Sequence, residues 1–307
     1  MDRRIAVGRL LEALDEQQAL ADRPLPAALC DDGVVAPPFD EQPVLTATVR
    51  CLGPLNVRVG THQLETWRSG RARALFEYLV NHRGRPVPRE ALIQALWPDP
   101  GAVAAGTSLK VAVHALRQIL TNASGRGVPP MSVVARESSY ELKAANLWVD
   151  VEAFEQACRL ASRLWSAGEV RRALECYREA AELYRGDFLQ DSWDDWVVFR
   201  REGLKDQYLL VLTRLAAAAM QEHQYDRCIE YARQLLEEDN CREDTYRMLM
   251  VCHARLGQPG RVRRWYELCV QTLRSVLEVG PDTETERIYQ WACTAGLGEG
   301  WTVPPVT

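Results

Sequence analysis

Thr107, Lys110, Val111, His114, Arg117 and Gln118 recur at spacings of three and four, which places them on one stripe of a helix. The stripe offers hydroxyl, ammonium, imidazole, guanidinium and amide donors, one small apolar group and no acid. It holds no nucleophile with an adjacent base. What it can do is recognise a polyanion: lysine and arginine donate to phosphate oxygens and to O6 and N7 of guanine, and a valine can touch a thymine methyl. Ser108 sits beside Thr107, near the mouth that such a helix would present. A second stripe on the same segment, Leu109, Ala112, Val113, Leu116, Ile119 and Leu120, is apolar and demands a core.

The surrounding sequence supplies elements able to provide that core. Short β-type runs from Leu45 break at Gly53-Pro54 and Gly60 and suggest a small antiparallel meander. "GRARALFEYLVNHRG" reads as a helix with Leu75, Phe76, Leu79 and Val80 inward and Gly84 as its stop. "VPREALIQALWP" reads as a second helix, opened by Pro88 and closed by Pro98, and "DPGAVAAG" as a loop before the third. The alternation in "MSVVARESSYEL" predicts a hairpin. Three helices and a hairpin make a winged helix-turn-helix, here preceded by a sheet, in which the third helix enters the major groove.

Charge supports this placement. Residues 44–146 carry 13 basic and 6 acidic residues, a net of +7, although the whole 307-residue chain stands at −5. Residues 1–43 stand at −5 and residues 147–307 at −7. A cationic block between acidic ones implies a polyanionic partner for that block alone.

Beyond Trp148 the pattern is helical. "GEVRRALECY", "HQYDRCIEYA" and "GQPGRVRRWY" resemble one another at residues 168–177, 223–232 and 257–266. The last two are offset by 34 residues, the tetratricopeptide period, and the first two by 55, which implies an insertion within 186–204. The reading is an all-α solenoid over 147–296, with a tail at 297–307. Residues 1–43 divide into an amphipathic helix over 3–21 and a Pro- and Asp-rich linker.

An ordered series of motifs resembles the Streptomyces antibiotic regulatory proteins. "VRCLGPLNVRVG", "GRARALFEYLV", "VPREALIQALWP", "TSLKVAVHALRQIL" and "ARESSYEL" are similar to their OmpR/PhoB-like DNA-binding domain. "VDVEAFEQACRLASRLWSAGEVRRALECYREAAELYRGDFL" and "EVGPDTETERIYQWA" are similar to the opening and close of their bacterial transcriptional activator domain. The likeness covers roughly 45–295. It departs at the hairpin tip, where Ser138-Ser139-Tyr140 replaces the usual Gly-Gly-Tyr, and the N-terminal 44 residues fall outside it. It implies an activator that binds promoter direct repeats in double-stranded DNA as a dimer and recruits RNA polymerase holoenzyme. No cofactor is implied, and the ATPase module of larger members is absent because no GxxxxGK[ST] occurs.

Other residues admit both a functional and a plainer role. Arg71 and Arg73, at the start of the first helix, are phosphate contacts or surface cations; Arg136 reaches an adjacent groove or pairs with Glu137 or Glu141. Trp97 and Asp99 lie in the loop between the second and third helices, which in this architecture faces away from the major groove and is either a polymerase contact or an inert connector. Trp193 and Trp196 are core anchors or a protein contact. Arg261, Arg263 and Arg264 are the cations that a small-molecule or nucleotide effector would need if the solenoid were a sensor. The remaining alternative is a tetratricopeptide scaffold that has lost DNA. Nine cysteines without metal-ligand spacing read as buried thiols of a reducing compartment. With no long apolar run, no export signal, no GxSxG and no HExxH, the expectation is a cytoplasmic, non-enzymatic protein with no membrane or metal partner.

Overall fold

The computed structural model describes residues 47–60, 62–67, 69–98, 102–123, 130–144 and 146–294. The helix expected over 3–21 and the linker after it lie outside the described residues, as does the C-terminal tail.

Strands β1 (Ala47–Arg50), β2 (Asn56–Val59) and β3 (His62–Gln63) form the expected antiparallel meander. Val49, Val57 and Val59 alternate inward, the period-two pattern of a half-covered sheet. Helix α1 (Gly70–Asn81) is capped by Ser69, whose hydroxyl accepts from the Ala72 amide. It buries Leu75, Phe76 and Leu79. Strand β4 (Val87–Pro88) leads into α2 (Arg89–Leu96), and α3 (Ala102–Ala123) follows. Strands β5 (Met131–Arg136) and β6 (Ser139–Ala144) make the hairpin, with β4 on the outer edge of β6.

Two details differ from the sequence reading. The segment read as a loop contributes the first turn of α3: Ala102–Gly106 is helical, because alanine propensity outweighs the single glycine. Pro88 is not inside the first turn of α2. It lies just before it in β4, where the Arg89 amide donates to the Ser138 carbonyl at 2.8 Å and ties helix to wing.

Strand β7 (Leu147–Val149) pairs parallel with β1 and delivers the chain into the helical half. There α4 (Asp150–Ser166) packs on α5 (Val170–Leu183), α6 (Asp195–Gln221) on α7 (Tyr225–Glu238), and α8 (Glu243–Arg255) on α9 (Pro259–Val276). Helix α10 (Thr283–Thr294) closes the stack against α8 and α9. The three sequence pieces mark equivalent turns. Gly168, His223 and Gly257 have φ of 80°, 58° and 67°. The next amide in each case donates five residues back, Glu169 to Leu164, Gln224 to Ala219 and Gln258 to His253. This is the Schellman ending of the first helix in each pair, repeated three times.

The core does not stop at the boundary between the halves. One apolar cluster runs from Val49, Leu75 and Leu116 through Phe154, Leu189 and Leu212. At the seam the buried Asp150 carboxylate accepts from the Cys51 amide at 2.8 and 2.9 Å and the Leu52 amide at 3.0 Å. Gly53 donates to the Asp187 carbonyl and Leu189 to that of Cys51. Gly53 and Gly186 pass so closely that a Cβ on Gly186 would meet the Gly53 Cα at 3.3 Å. Arg83 holds the Glu152 carboxylate and the Leu147 carbonyl, while Arg200 bridges Glu155 and Asn81. The winged half and the first helical pairs are therefore packed and hydrogen-bonded as one body.

Candidate nucleic-acid interface

Helix α3 is oriented by its apolar stripe. Leu109, Ala112, Val113, Leu116 and Leu120 are buried in the cluster that also holds Leu75 and Phe76 of α1, Leu92 and Leu96 of α2, and Val133 and Leu142 of the wing. That packing turns the other stripe outward. Thr107, Lys110, Val111, His114, Arg117 and Gln118 are exposed and Ser108 is half-buried. Val111 keeps 63% of its surface, a branched apolar side chain in the middle of a polar face. The helix contains no acid along its 22 residues, and neither Lys110 nor His114 pairs with one among the described residues.

Arg117 is tethered as well as exposed. Its Nε donates to the Val133 carbonyl of β5 at 2.9 Å, so the guanidinium joins the third helix to the wing. Beyond it, Arg136 at the hairpin end pairs with Glu141 at 3.2 Å while keeping over half of its side chain in solvent. The wing turns through Glu137 and Ser138, and neither these nor Ser139 has a positive φ. The serines that replace the usual glycines therefore sit in a turn that does not need the left-handed region.

The remaining sequence candidates separate. Arg71 donates through Nη1 to the Leu96 carbonyl and lies 5.5 Å from the Trp97 ring centre, so it caps α2 and covers a half-buried tryptophan. Arg73 pairs with Glu77 at 2.7 Å and Asp191 at 3.7 Å. Burial raises the Glu77 carboxyl pKa, and Arg73 pulls the other way. Both arginines thus have protein partners, most of them distant in sequence, which leave no local sign. Asp99 lies outside the described residues. Trp196 packs edge-on against Tyr78 at 4.9 Å, an anchor between the halves, whereas Trp193 is 83% exposed. Phe199, 87% exposed one turn into α6, has no signal in the sequence, since its flanks read as an ordinary helix. Arg261, Arg263 and Arg264 are exposed on the opening turns of α9, and Arg264 lies 3.9 Å from Glu267. They do not line the cavities at the Arg83–Glu152 seam, at Arg73–Asp191 or at the His223 turn. Among the described residues there is no cluster of metal ligands, and no helix is long and apolar enough to cross a membrane.

An outward cationic helix, a hairpin wing and a stacked helical half define a winged-helix regulator with an attached helical domain. Known proteins agree. Residues 64–129 match the family model "Transcriptional regulatory protein, C terminal" and residues 149–291 match "Bacterial transcriptional activator domain". Regulatory protein DnrI of Streptomyces peucetius is 32% identical over 122 residues, 39% of this chain and 45% of that protein. The solved structure of Mycobacterium tuberculosis EmbR in complex with a low affinity phosphopeptide shares the fold, with a TM-score of 0.64 at 22% identity over 80% of this chain and 65% of that one. The chain thus matches under half the length of the curated relative and about two thirds of the solved one. The two domain matches, in this order, and the likeness to DnrI support the resemblance to the Streptomyces antibiotic regulatory proteins, a family of transcriptional regulators.

Proposed function

We propose that the chain binds double-stranded DNA at promoter direct repeats, with α3 in the major groove and the wing beside it, and activates transcription by recruiting RNA polymerase. The acid-free exposed stripe of α3, braced from behind by a complete core, carries this reading. Lys110 and His114 are the residues free to read bases or hold phosphates, and Val111 is placed for a thymine methyl. Arg117, already tied to the wing through Nε, would present its remaining donors to the backbone or to guanine. Exposed Trp193, which shares a cleft with Asp191 and Asp194, and exposed Phe199 on α6 are aromatic groups suited to a protein contact. Binding to chromosomal DNA would put the protein in the cytoplasm.

Chromatin immunoprecipitation of the native protein tests the first part, and run-off transcription from the recovered promoters tests the second. Enrichment at paired repeats with increased transcript supports the proposal. Absence of enriched sites under conditions in which the protein accumulates refutes it.

A further inference from the structure

The seam between the two halves contains a cavity of about 460 Å³, within the range of small-molecule sites. Its walls come from the end of α1 and the following turn on one side and from α4 and α6 on the other. Val80, Val151 and Phe188 contribute apolar floor. The rim is charged, and most of its hydrogen-bonding capacity is already committed. Arg83 occupies both oxygens of Glu152 and the Leu147 carbonyl. Arg200 spends Nε on the Asn81 side-chain oxygen and Nη2 on one oxygen of Glu155. The His82 ring gives Nδ1 to the Tyr78 carbonyl.

What is left is mostly donors. The Arg85 guanidinium is exposed and pairs with no acid among the described residues. Arg200 keeps Nη1, and Asn81 keeps its amide N–H groups, because its oxygen must be the acceptor for Arg200. The opposing acceptors are one Glu155 oxygen and the second His82 nitrogen. Three groups with donors to spare above an apolar floor fit an anionic head on an apolar body.

We propose that this cavity binds a small amphipathic organic anion, such as an aryl or alkyl carboxylate, with its head on Arg85, Asn81 and Arg200. Arg85 and Asn81 belong to the winged half and Arg200 to the helical half, so the bound anion joins the two. This site is separate from the α3 face and does not depend on DNA binding.

The test is thermal unfolding of the full chain with hydrocinnamate, its alcohol, the corresponding amine and inorganic phosphate. Hydrocinnamate should raise the midpoint saturably, by roughly 2–4 °C at tenfold excess over a Kd in the millimolar range expected for so small a ligand. The alcohol, the amine and phosphate should each give less than half of that shift. Arg85→Ala should fold with an unchanged midpoint and lose the hydrocinnamate response. Direct calorimetric titration of the native chain and the variant should show the same loss. An equal shift with the alcohol, or an equal shift with phosphate, overturns the ligand class. No saturable shift with hydrocinnamate, or a full shift in Arg85→Ala, overturns the site.

Discussion

Replacing Asp150 with alanine should loosen the joint between the halves more than any other single change at the seam. Its carboxylate serves the Cys51 and Leu52 amides, and both residues are almost fully buried. The Val151 amide also donates to it at 2.8 Å, so truncation leaves three buried N–H groups without acceptors, at about 1–3 kcal/mol each, and the loss should be about 3–9 kcal/mol. Burial raises the Asp150 pKa, opposed by the amide hydrogen bonds, so part of this gain is offset by the cost of holding the anion in the seam. Asp150→Asn keeps one side-chain oxygen but turns an N–H₂ toward the same donors, and should fall between the alanine variant and the native chain. Urea unfolding followed by tryptophan fluorescence measures both. If Asp150→Ala costs less than about 1 kcal/mol, solvent satisfies the amides and the seam is not a rigid joint.

Four further outcomes follow from the same geometry. If Val111 touches a thymine methyl, changing that thymine to uracil in a bound site should weaken native binding by a few fold and leave Val111→Ala unaffected, as competition titration would show. Affinity should fall by about 10³-fold or more between roughly 50 and 200 mM salt if roughly six phosphates are contacted, measured by a salt series on one duplex. His223→Gly should stabilise the chain by roughly 0.5–1 kcal/mol in urea, because a non-glycine residue holds φ of 58° at a turn where its two counterparts are glycine. Desolvation pushes the Asp244 carboxyl up, but the Arg242 bridge outweighs it and holds the pKa below its usual value. That contribution is complete above the unfolded value of roughly 3.9 and is lost as pH falls through the lower folded value. Asp244→Asn should therefore flatten the acid limb of a stability–pH curve.

The local part of the fold is legible in the sequence, and little of the long-range part is. The two stripes of α3 can be read because a period of 3.6 forces Leu109, Ala112, Val113 and Leu116 inward once Lys110 and His114 face out. The three repeat turns can be read because glycine, or His223 standing in for it, punctuates them. Ala102–Gly106 misleads, since a glycine among alanines signals a loop as strongly as a helix start. Strands β4 and β7 are two and three residues long, below the reach of any periodicity. The partners of Arg71, Arg73 and Asp150 depend on how distant elements dock, which no local pattern encodes. The same docking creates the seam cavity.

In the proposed function, α3 presents its cationic stripe to a duplex. Fluorescence anisotropy with a recovered promoter repeat, comparing the native chain with Lys110→Ala, His114→Ala and Arg117→Ala, measures it directly. Each substitution of a base-reading side chain should cost about 1–3 kcal/mol of binding while folding is retained. Native affinity for all three variants, with unchanged sequence preference, would rule out α3 as the DNA-reading helix.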